Sequence, residues 1–410
     1  MLDEIDVVLA EKPNAIIIYE GHNEYYGALG VSSNITMSNH SRWLKLIHLK
    51  LMDLRIYQLM QNFIFKLAEM AKSSEKSDVL RGTLMTQMAT KNEIDYNGIL
   101  YKAGIKQFEL NLSSLLEKAN NCKVPVFLSE EVSNIRDMEP LASLSGMQSS
   151  LTLNAFRKAK YFDSIGNYTE AKELYYEAKD LDGIKFRATE DFNKITYKLA
   201  QKYKVYFVPM EKSFEEASPN GIMGNNLFTE HLHPNIKGCF LMADKFYKSI
   251  LESNLIKGNI SNHFPSAFYE NNWGYSSIDS LLATERINSI KKHWPFCPMG
   301  LSSQNYNFNK RPTLADSIIN SLVSITEVHL TLAQEELKKA DYENAFKDYY
   351  AIALLNPNIA ENYLKPIECL IKLGNYNYAK LLITKSLRIK NTHECQRLKK
   401  TLLSVYREGN

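Results

Sequence analysis

A carboxylate and an imidazole stand three residues apart late in the chain, in the sequence EHLHP that begins at Glu230. Pro234 follows His233 directly, and a residue before proline is biased away from helical geometry, so the pair is expected on a loop. A carboxylate there can orient the imidazole and stabilise its protonated form, as the general base of a nucleophilic hydrolysis requires. Glu230 and His233 are therefore a candidate catalytic pair, the alternative being a histidine with a purely structural hydrogen bond.

A second polar cluster follows a very apolar segment near the start of the chain. Residues 15–27 read AIIIYEGHNEYYG, so Gly21, His22, Asn23 and Glu24 come directly after the apolar residues. Glycine allows a close approach of the backbone, and an asparagine amide can donate a hydrogen bond to a developing negative charge. This turn is therefore a second candidate part of a reactive site.

Three short apolar segments predict the strands that would position these groups. They are residues 14–21, 124–130 and 204–210, and each is preceded by a helical pattern. Such alternation predicts an α/β fold with a parallel sheet covered on both faces, although three strands are fewer than the roughly five that are usual. Ligands of such sheets bind beyond the carboxyl ends of the strands, so the polar residues after each strand should converge.

An internal repeat marks the helical parts of the chain. GNYTEA (166–171), ADYENA (340–345) and GNYNYA (374–379) share the pattern Gly/Ala-x-Tyr-x-x-Ala, and the last two are 34 residues apart. This is the tetratricopeptide period of about 34, in which small residues let antiparallel helices approach closely. Tetratricopeptide-like repeats are predicted over 326–405 and a helical hairpin over about 141–182, the alternative being generic hairpins that bind no partner.

The remaining segments complete the predicted organisation. Residues 1–258 form the α/β domain into which the hairpin is inserted, and residues 259–325 form a connecting region of loops and helix. Residues 42–72 are the richest apolar segment, but charges interrupt it, so it is not a conventional membrane span. It is expected to be one long helix packed on the core, the alternative being a lid or membrane-surface helix.

Taken together, these motifs resemble the SGNH hydrolases, the GDSL-type esterases and lipases. Gly21-His22-Asn23-Glu24 is similar to the Gly-x-Asn-Asp turn of that superfamily, and Glu230-x-x-His233 is similar to its Asp-x-x-His pair, with glutamate for aspartate in both. The resemblance is closest to a bacterial branch with a GHNE(F/Y)YG turn and tetratricopeptide elements. It also covers residues 133–140, 180–195 and 285–296.

The resemblance implies a flavodoxin-like three-layer α/β/α domain and hydrolysis of an ester-linked acyl group, an acetyl on a carbohydrate being one candidate. His233 would be the general base, Glu230 would orient it, and Asn23 would donate to the oxyanion beside Gly21. Candidate substrate contacts are His22, Glu24, Asn134 and Arg187. The alternatives are an ion pair for Arg187 and a turn-capping amide for Asn134. No metal or organic cofactor is implied, and the expected partners are a small-molecule or carbohydrate ester and a protein bound by the repeats.

The nucleophile block of the superfamily, Gly-Asp-Ser, has no counterpart before the 14–21 strand, nor do the first two strands. The α/β domain is thus expected to be N-terminally incomplete, with an uncovered edge on its first visible strand. Three explanations stay open. The chain is a fragment of an esterase and inactive as it stands, or it is a non-catalytic protein-interaction scaffold, or another serine substitutes, with Ser129 and Ser133 as candidates.

Composition narrows the class of protein further. Of 410 residues, 45% are hydrophobic and 23% charged, as in ordinary globular proteins, and a net charge of +3 gives no case for nucleic-acid binding. The five cysteines are scattered without a Cys-x-x-Cys pair, which argues against a disulfide framework or a zinc site. No signal-peptide pattern begins at Met1. The compartment therefore stays open, and any membrane anchor would lie upstream of Met1.

Overall fold

The computed structural model of the protein describes residues 1–27, 29–32, 42–71, 93–141, 147–256, 264–291, 296, 318 and 323–408. Most of the predicted connecting region 259–325 lies outside these residues, as do Lys72 and residues 142–146 of the predicted hairpin segment. The chain forms two compact units. The α/β unit comprises residues 1–259 and 291–302, and the helical unit comprises residues 260–290 and 303–410.

The α/β unit is built on a three-stranded parallel sheet in the order β1-β2-β3, with β1 at Ile16–Ile18, β2 at Val126–Ser129 and β3 at Tyr206–Val208. Ile17 is aligned with Phe127, and Phe127 with Tyr206. The predicted parallel sheet is confirmed, but its strands are shorter than the apolar segments. Pro125 precedes β2 and Pro209 follows β3, and proline has no N–H to extend a ladder.

Helices pack on both faces of this sheet. In chain order, the described helices of the α/β unit are α1 (Ile5–Ala10), α2 (Arg42–Met52), α3 (Arg55–Ala71), α4 (Ile99–Asn121), α5 (Met147–Ser164), α6 (Tyr168–Leu181), α7 (Glu190–Tyr203), α8 (Met210–Glu216) and α9 (Ile236–Glu252). Side chains of a strand alternate between faces. Val126 and Leu128 pack with α1, α4 and α7, whereas Phe127 and Val208 pack with α5, α6, α8 and α9.

Strand β1 is the most solvent-exposed strand of the sheet at its centre. Among the described strands, β1 pairs only with β2. Ile17, in the middle of β1, is 50% exposed, whereas Ile18 is fully buried. The apolar strand edge that the sequence predicts is therefore present, and none of the described strands covers it.

The apolar segment at 42–72 differs from its prediction. It forms two helices, α2 and α3, separated at Asp53 and Leu54, and the apolar side chains along α3 are exposed. The prediction of one long core-packing helix is therefore wrong. The reason is that α2 is held by polar bonds, from Arg42 to Asn111 and from Lys45 to Gln107, each 2.8 Å long. Within the described part of the chain, no helix has the length and apolar character to cross a bilayer.

The helical unit contains α10 (Ser266–Asn271), α11 (Ser277–Lys291), α12 (Ile325–Lys338), α13 (Tyr342–Leu355), α14 (Leu364–Lys372), α15 (Tyr376–Ile389) and α16 (His393–Glu408). From α12 to α16, each helix packs against the next along the chain. Its core includes Ala345 and Ala379, the closing alanines of two repeat motifs, both fully buried. The tetratricopeptide assignment itself stays a prediction.

The first residue of each repeat motif has the same unusual backbone conformation. Gly166, Ala340 and Gly374 have φ angles of 81°, 58° and 73°. All three therefore lie in the left-handed region, which glycine adopts freely and a residue with a Cβ does not. This explains why glycine stands first in two of the motifs, and it leaves a strained alanine in the third.

Replacing Ala340 with glycine should raise the free energy of unfolding of the helical unit by about 0.5–1 kcal/mol, because it relieves this strain. The matched change Gly374→Ala should lower it by about 1 kcal/mol. A Cβ at Gly374 meets no atom within 4 Å, so only the backbone cost counts. Urea unfolding followed by circular dichroism measures both, and a loss of stability in Ala340→Gly would contradict the explanation.

Candidate functional site

Three loops that carry polar residues meet at the carboxyl end of the sheet. They are the turn after β1 at 21–24, the segment after β2 at 130–134, and the loop at 229–235 before α9. Asn134 joins the second loop to the third, since its backbone N–H donates to the His231 carbonyl at 3.0 Å and its amide to the Glu230 carbonyl at 3.2 Å. The convergence that the sequence predicts is therefore present for these two loops through direct bonds.

The turn after β1 contributes a buried histidine. His22 Nδ1 accepts the Ala188 backbone N–H at 3.0 Å, and its Nε2 lies 3.4 Å from the Tyr19 hydroxyl. Burial and the nearby positive charges of His231 and Lys179 lower the pKa of His22 to about 3. His22 is thus a neutral group that fixes the turn, and its Nδ1 lies 3.4 Å from Glu131 Oε2, which places the turn beside the segment after β2.

The candidate catalytic pair is formed directly. His233 Nδ1 lies 2.6 Å from Glu230 Oε1, and the His233 backbone N–H donates to the same oxygen at 2.7 Å. The Glu230 side chain is only 4% exposed, whereas that of His233 is 71% exposed. Because Nδ1 donates to the carboxylate, Nε2 is the nitrogen that is left to accept a proton from a reactant.

The two partners shift each other's pKa values in opposite directions. Burial acts to raise the pKa of the Glu230 carboxyl, but hydrogen bonds from His231 and His233 outweigh it and hold that pKa well below its usual range. The hydrogen bond to Glu230 raises the pKa of His233 against a smaller opposing effect of burial. Glu230 is therefore ionised at neutral pH, as the orienting partner of a general base must be.

The loop that holds the pair lies tightly on the start of α9. Asn235 caps this helix by accepting the Gly238 N–H at 3.1 Å. A Cβ at Gly238 would overlap the Leu227 carbonyl and lie 2.8 Å from Pro234 Cβ. Only glycine at this position lets the loop and the helix approach this closely, so Gly238 helps to place Glu230 and His233.

Gly21 is required for a similar reason. Its φ angle is 152°, and a Cβ there would overlap the carboxylate of Glu131. Asn23, two residues later, is exposed, and its backbone carbonyl accepts the Gly27 N–H at 2.7 Å. Among the described residues, no side-chain hydrogen bond joins Asn23 to Glu230 or His233. The predicted oxyanion donor is therefore available to a ligand but not bonded to the catalytic pair.

The predicted substrate contact Glu24 lies on another side of the turn. Its Oε1 accepts hydrogen bonds from Gln107 at 2.9 Å and from Asn111 at 3.4 Å, both on α4. Burial raises the pKa of this carboxyl, and the bond from Gln107 opposes the shift. Glu24 therefore ties the turn to α4, and this structure does not bring it together with Glu230 and His233.

Asn134 and Arg187 are buried and bonded to protein. The amide of Asn134 donates to Asn225 at 2.8 Å and its oxygen accepts the Asp137 N–H at 3.0 Å. Arg187 pairs with Asp182 at 3.0 Å and also donates to the carbonyls of Asn134 and Met138. Both side chains thus position the segment after β2, which in turn holds the loop of Glu230 and His233.

Sequence reasoning missed two members of the cluster. His231 is buried and shares the Glu230 carboxylate with His233 through its own Nδ1. Burial raises the pKa of Glu131 to about 8, and its Oε2 is buried without a hydrogen-bond partner. The adjacent pair of glutamates directly after a strand was the available signal for Glu131. His231, as one of two histidines beside Glu230, could have been noticed in the same way.

The geometry bears on two alternatives, namely Ser129 or Ser133 as a substitute nucleophile and a bound metal ion. Ser129 is 1% exposed and donates to the Glu130 carbonyl at 2.9 Å, and Ser133 is 4% exposed. Neither hydroxyl is thus presented to a ligand. Within the described ranges, no three histidine, cysteine or acidic residues are arranged to hold a metal ion.

The pKa of His233 provides a direct check of the pair. In an NMR titration, His233 should have a pKa above the ordinary value of about 6.5, and the change Glu230→Gln should lower it, because the hydrogen bond to the carboxylate is its main cause. His329, whose raised pKa depends on Asp279 and Asp348 in the helical unit, is the internal control, and its pKa should not change in this variant. An unchanged His233 pKa in Glu230→Gln would show that the carboxylate does not tune this imidazole.

The arrangement is a buried carboxylate that orients an exposed imidazole, at the end of the sheet where the glycine–asparagine turn follows β1. A pair of this kind can remove a proton from a hydroxyl or a water molecule and return it to a leaving group. Comparisons of the chain with protein-family models, with curated proteins and with solved structures find no match.

Proposed function

We propose that the α/β unit is part of a serine acyl hydrolase of the SGNH type with a flavodoxin-like α/β/α domain. Its substrate would be an ester-linked acyl group, and the acetyl ester of a carbohydrate is one candidate. The observation that carries the proposal is the hydrogen bond of 2.6 Å between the buried Glu230 and the exposed His233. His233 is the general base of this proposal, and Glu230 holds it in the required tautomer.

The proposed chemistry follows from the donors and acceptors at the site. His233 Nε2 takes the proton of a serine hydroxyl as its oxygen attacks the ester carbonyl, and Glu230 stabilises the resulting imidazolium. The Asn23 amide donates to the oxyanion, and one such donor is typically worth about 3–4 kcal/mol. The imidazolium then gives its proton to the leaving alcohol. In the second half, a water molecule attacks the acyl-serine, His233 takes its proton, and that proton returns to the serine oxygen as the acid leaves.

The sheet supports this proposal in a limited way. The order β1-β2-β3, with all strands parallel, is the order of the last three strands in a flavodoxin-like sheet. The candidate residues follow the carboxyl ends of these strands, where such folds bind ligands. A Gly-Asp-Ser block is not among the 410 residues, so the proposal needs a serine supplied to this site from elsewhere.

Hydrolysis of p-nitrophenyl acetate tests the proposal in a form of the protein that carries the nucleophilic serine. The change His233→Ala should lower kcat/KM at least about 100-fold, the usual contribution of a general base. The 410-residue chain by itself should show only background hydrolysis and no labelling by a fluorophosphonate probe.

The matched control is His393→Ala, which removes an imidazole from the helical unit. It should leave kcat/KM unchanged. Unchanged turnover in His233→Ala would overturn the assignment of the base. Fluorophosphonate labelling of the 410-residue chain would instead show that a serine within it is the nucleophile.

A second candidate function is protein binding by the helical unit. It is favoured by the serial packing of α12 to α16, in which each helix contacts the next and forms an extended array. A partner that binds the whole chain through this array should no longer bind when residues 326–410 are removed. Retention of that partner would contradict the scaffold function.

A further inference from the structure

The α3 helix carries a continuous apolar stripe that the described protein leaves exposed. The exposed fraction of its side chains ranges from 49% at Leu67 to 76% at Ile56. The stripe consists of Ile56, Leu59, Met60, Phe63, Ile64 and Leu67, spaced as one face of a helix. Contiguous apolar surface of this kind is rare on soluble monomers and marks an interaction site. We call this surface the α3 stripe.

The two positively charged residues of α3 that flank the stripe lie along one of its edges. Arg55 and Lys66 are eleven residues apart, which places them on the same side of the helix, and both are exposed. The opposite face carries the uncharged amides of Gln58, Gln61 and Asn62. No acidic residue occurs between Asp53 and Glu69. The surface is therefore apolar with a cationic rim.

The preceding helix fixes α3 to the α/β unit and extends its exposed surface. His48 Nδ1 lies 2.8 Å from the Tyr57 hydroxyl, and Gln58 donates to the Met52 carbonyl at 2.6 Å. Trp43 on α2 is 67% exposed. Tryptophan is the side chain best suited to the boundary between lipid headgroups and acyl chains. Both helices thus present exposed apolar side chains.

We propose that α3, together with Trp43, binds flat on the surface of a lipid bilayer that contains anionic lipids. The stripe enters the boundary between headgroups and acyl chains, and Arg55 and Lys66 extend to the lipid phosphates. Charge complementarity selects this occupant over a second copy of the chain. In an antiparallel pairing of two stripes, Arg55 of each copy would lie beside Lys66 of the other, and the like charges would repel.

Co-sedimentation of the complete 410-residue chain with lipid vesicles tests the proposal. The protein should pellet with vesicles of phosphatidylcholine mixed with phosphatidylglycerol, and less with phosphatidylcholine alone. The double change Leu59→Glu/Phe63→Glu should reduce the bound fraction at least about tenfold. The matched control Gln61→Glu/Asn62→Glu adds the same charge outside the stripe and leaves every apolar side chain of the stripe in place. It should therefore bind clearly better than Leu59→Glu/Phe63→Glu, although position 62 lies one turn from Lys66.

Fluorescence gives a second readout that does not depend on pelleting. Vesicles should shift the tryptophan emission to shorter wavelength, and Trp43→Phe should remove the shift although two other tryptophans remain. Wild-type protein that stays in the supernatant, or equal losses in both double variants, would overturn the proposal. The proposal would also be overturned if the protein formed dimers in the absence of vesicles and only Leu59→Glu/Phe63→Glu abolished them. A second copy of the chain would then cover the stripe. These residues lie outside the proposed catalytic site, so the result is independent of the hydrolase proposal.

Discussion

Replacing Arg187 with methionine should lower the free energy of unfolding of the α/β unit by about 3–5 kcal/mol. Arg187 and Asp182 form an ion pair in which both side chains are only 2% exposed. Methionine fills a similar volume but leaves the buried Asp182 carboxylate without the guanidinium that pairs with it. It also removes the donors to the carbonyls of Asn134 and Met138 at 2.9 and 3.2 Å.

The control for this loss is an ion pair at the surface of the same unit. Lys198 and Glu109 are 2.8 Å apart, with side chains 66% and 35% exposed. Lys198→Met should cost less than about 1 kcal/mol, because water screens such pairs. Urea unfolding at neutral pH compares the two variants. Equal small losses would show that Arg187 is free to serve a ligand, as the sequence resemblance implies, and does not stabilise the fold.

Local patterns were sufficient to predict the sheet and the hydrogen-bonded pair of Glu230 and His233. The three strands are short apolar segments between helical patterns, and their parallel pairing follows from that alternation. Glu230 and His233 are three residues apart on a loop that Pro234 keeps out of a helix. Their bond therefore depends on a few neighbouring residues and can be read without knowledge of the rest of the chain.

The roles of Asn134 and Arg187 depend on contacts between distant residues. Arg187 bonds to the carbonyl of Asn134, 53 positions earlier, and Asn134 bonds to the carbonyl of Glu230, 96 positions later. Nothing in the composition of either segment specifies these partners. A polar residue beside a predicted site looks the same in sequence whether it faces a ligand or a buried carbonyl.

The environment of α3 is another property that periodicity does not determine. An apolar stripe repeats at the helical period whether a protein core, a lipid surface or a second copy covers it. The prediction of a core helix used only this period. In the structure, Arg42 and Lys45 anchor α2 to side chains of α4. The α3 stripe is exposed, so it is not part of the core of the described protein.

Replacing His329 with leucine should lower the stability of the helical unit by roughly 3 kcal/mol near pH 6. His329 on α12 is 1% exposed, and its Nδ1 lies 2.6 Å from Asp348 on α13. Its Nε2 lies 3.4 Å from Asp279 on α11. Burial acts to lower the pKa of His329, but the two carboxylates outweigh it and raise the pKa to about 9. The charged imidazole therefore connects three helices.

The direction of the pH dependence follows from this raised pKa. The contribution of His329 is complete below the unfolded value of about 6.5 and is lost as the pH rises through about 9. Glu336 on α12 acts in a different range, since burial and the charge of Asp348 raise its pKa to about 7. Folding therefore favours the protonated form of Glu336, whose contribution is lost as the pH rises from about 4.5 through 7.

Urea unfolding of the wild type, His329→Leu and Glu336→Gln at pH values from 5 to 10 separates the two groups. The helical unit of the wild type should lose stability between about pH 6.5 and 9, and His329→Leu should remove most of that loss. Glu336→Gln should keep that loss and change only the dependence below about pH 7. If His329→Leu retains the wild-type slope above pH 7, the imidazole is not the group that joins α11, α12 and α13 through its charge. The interaction would then be a set of neutral hydrogen bonds, for which no loss on deprotonation is expected.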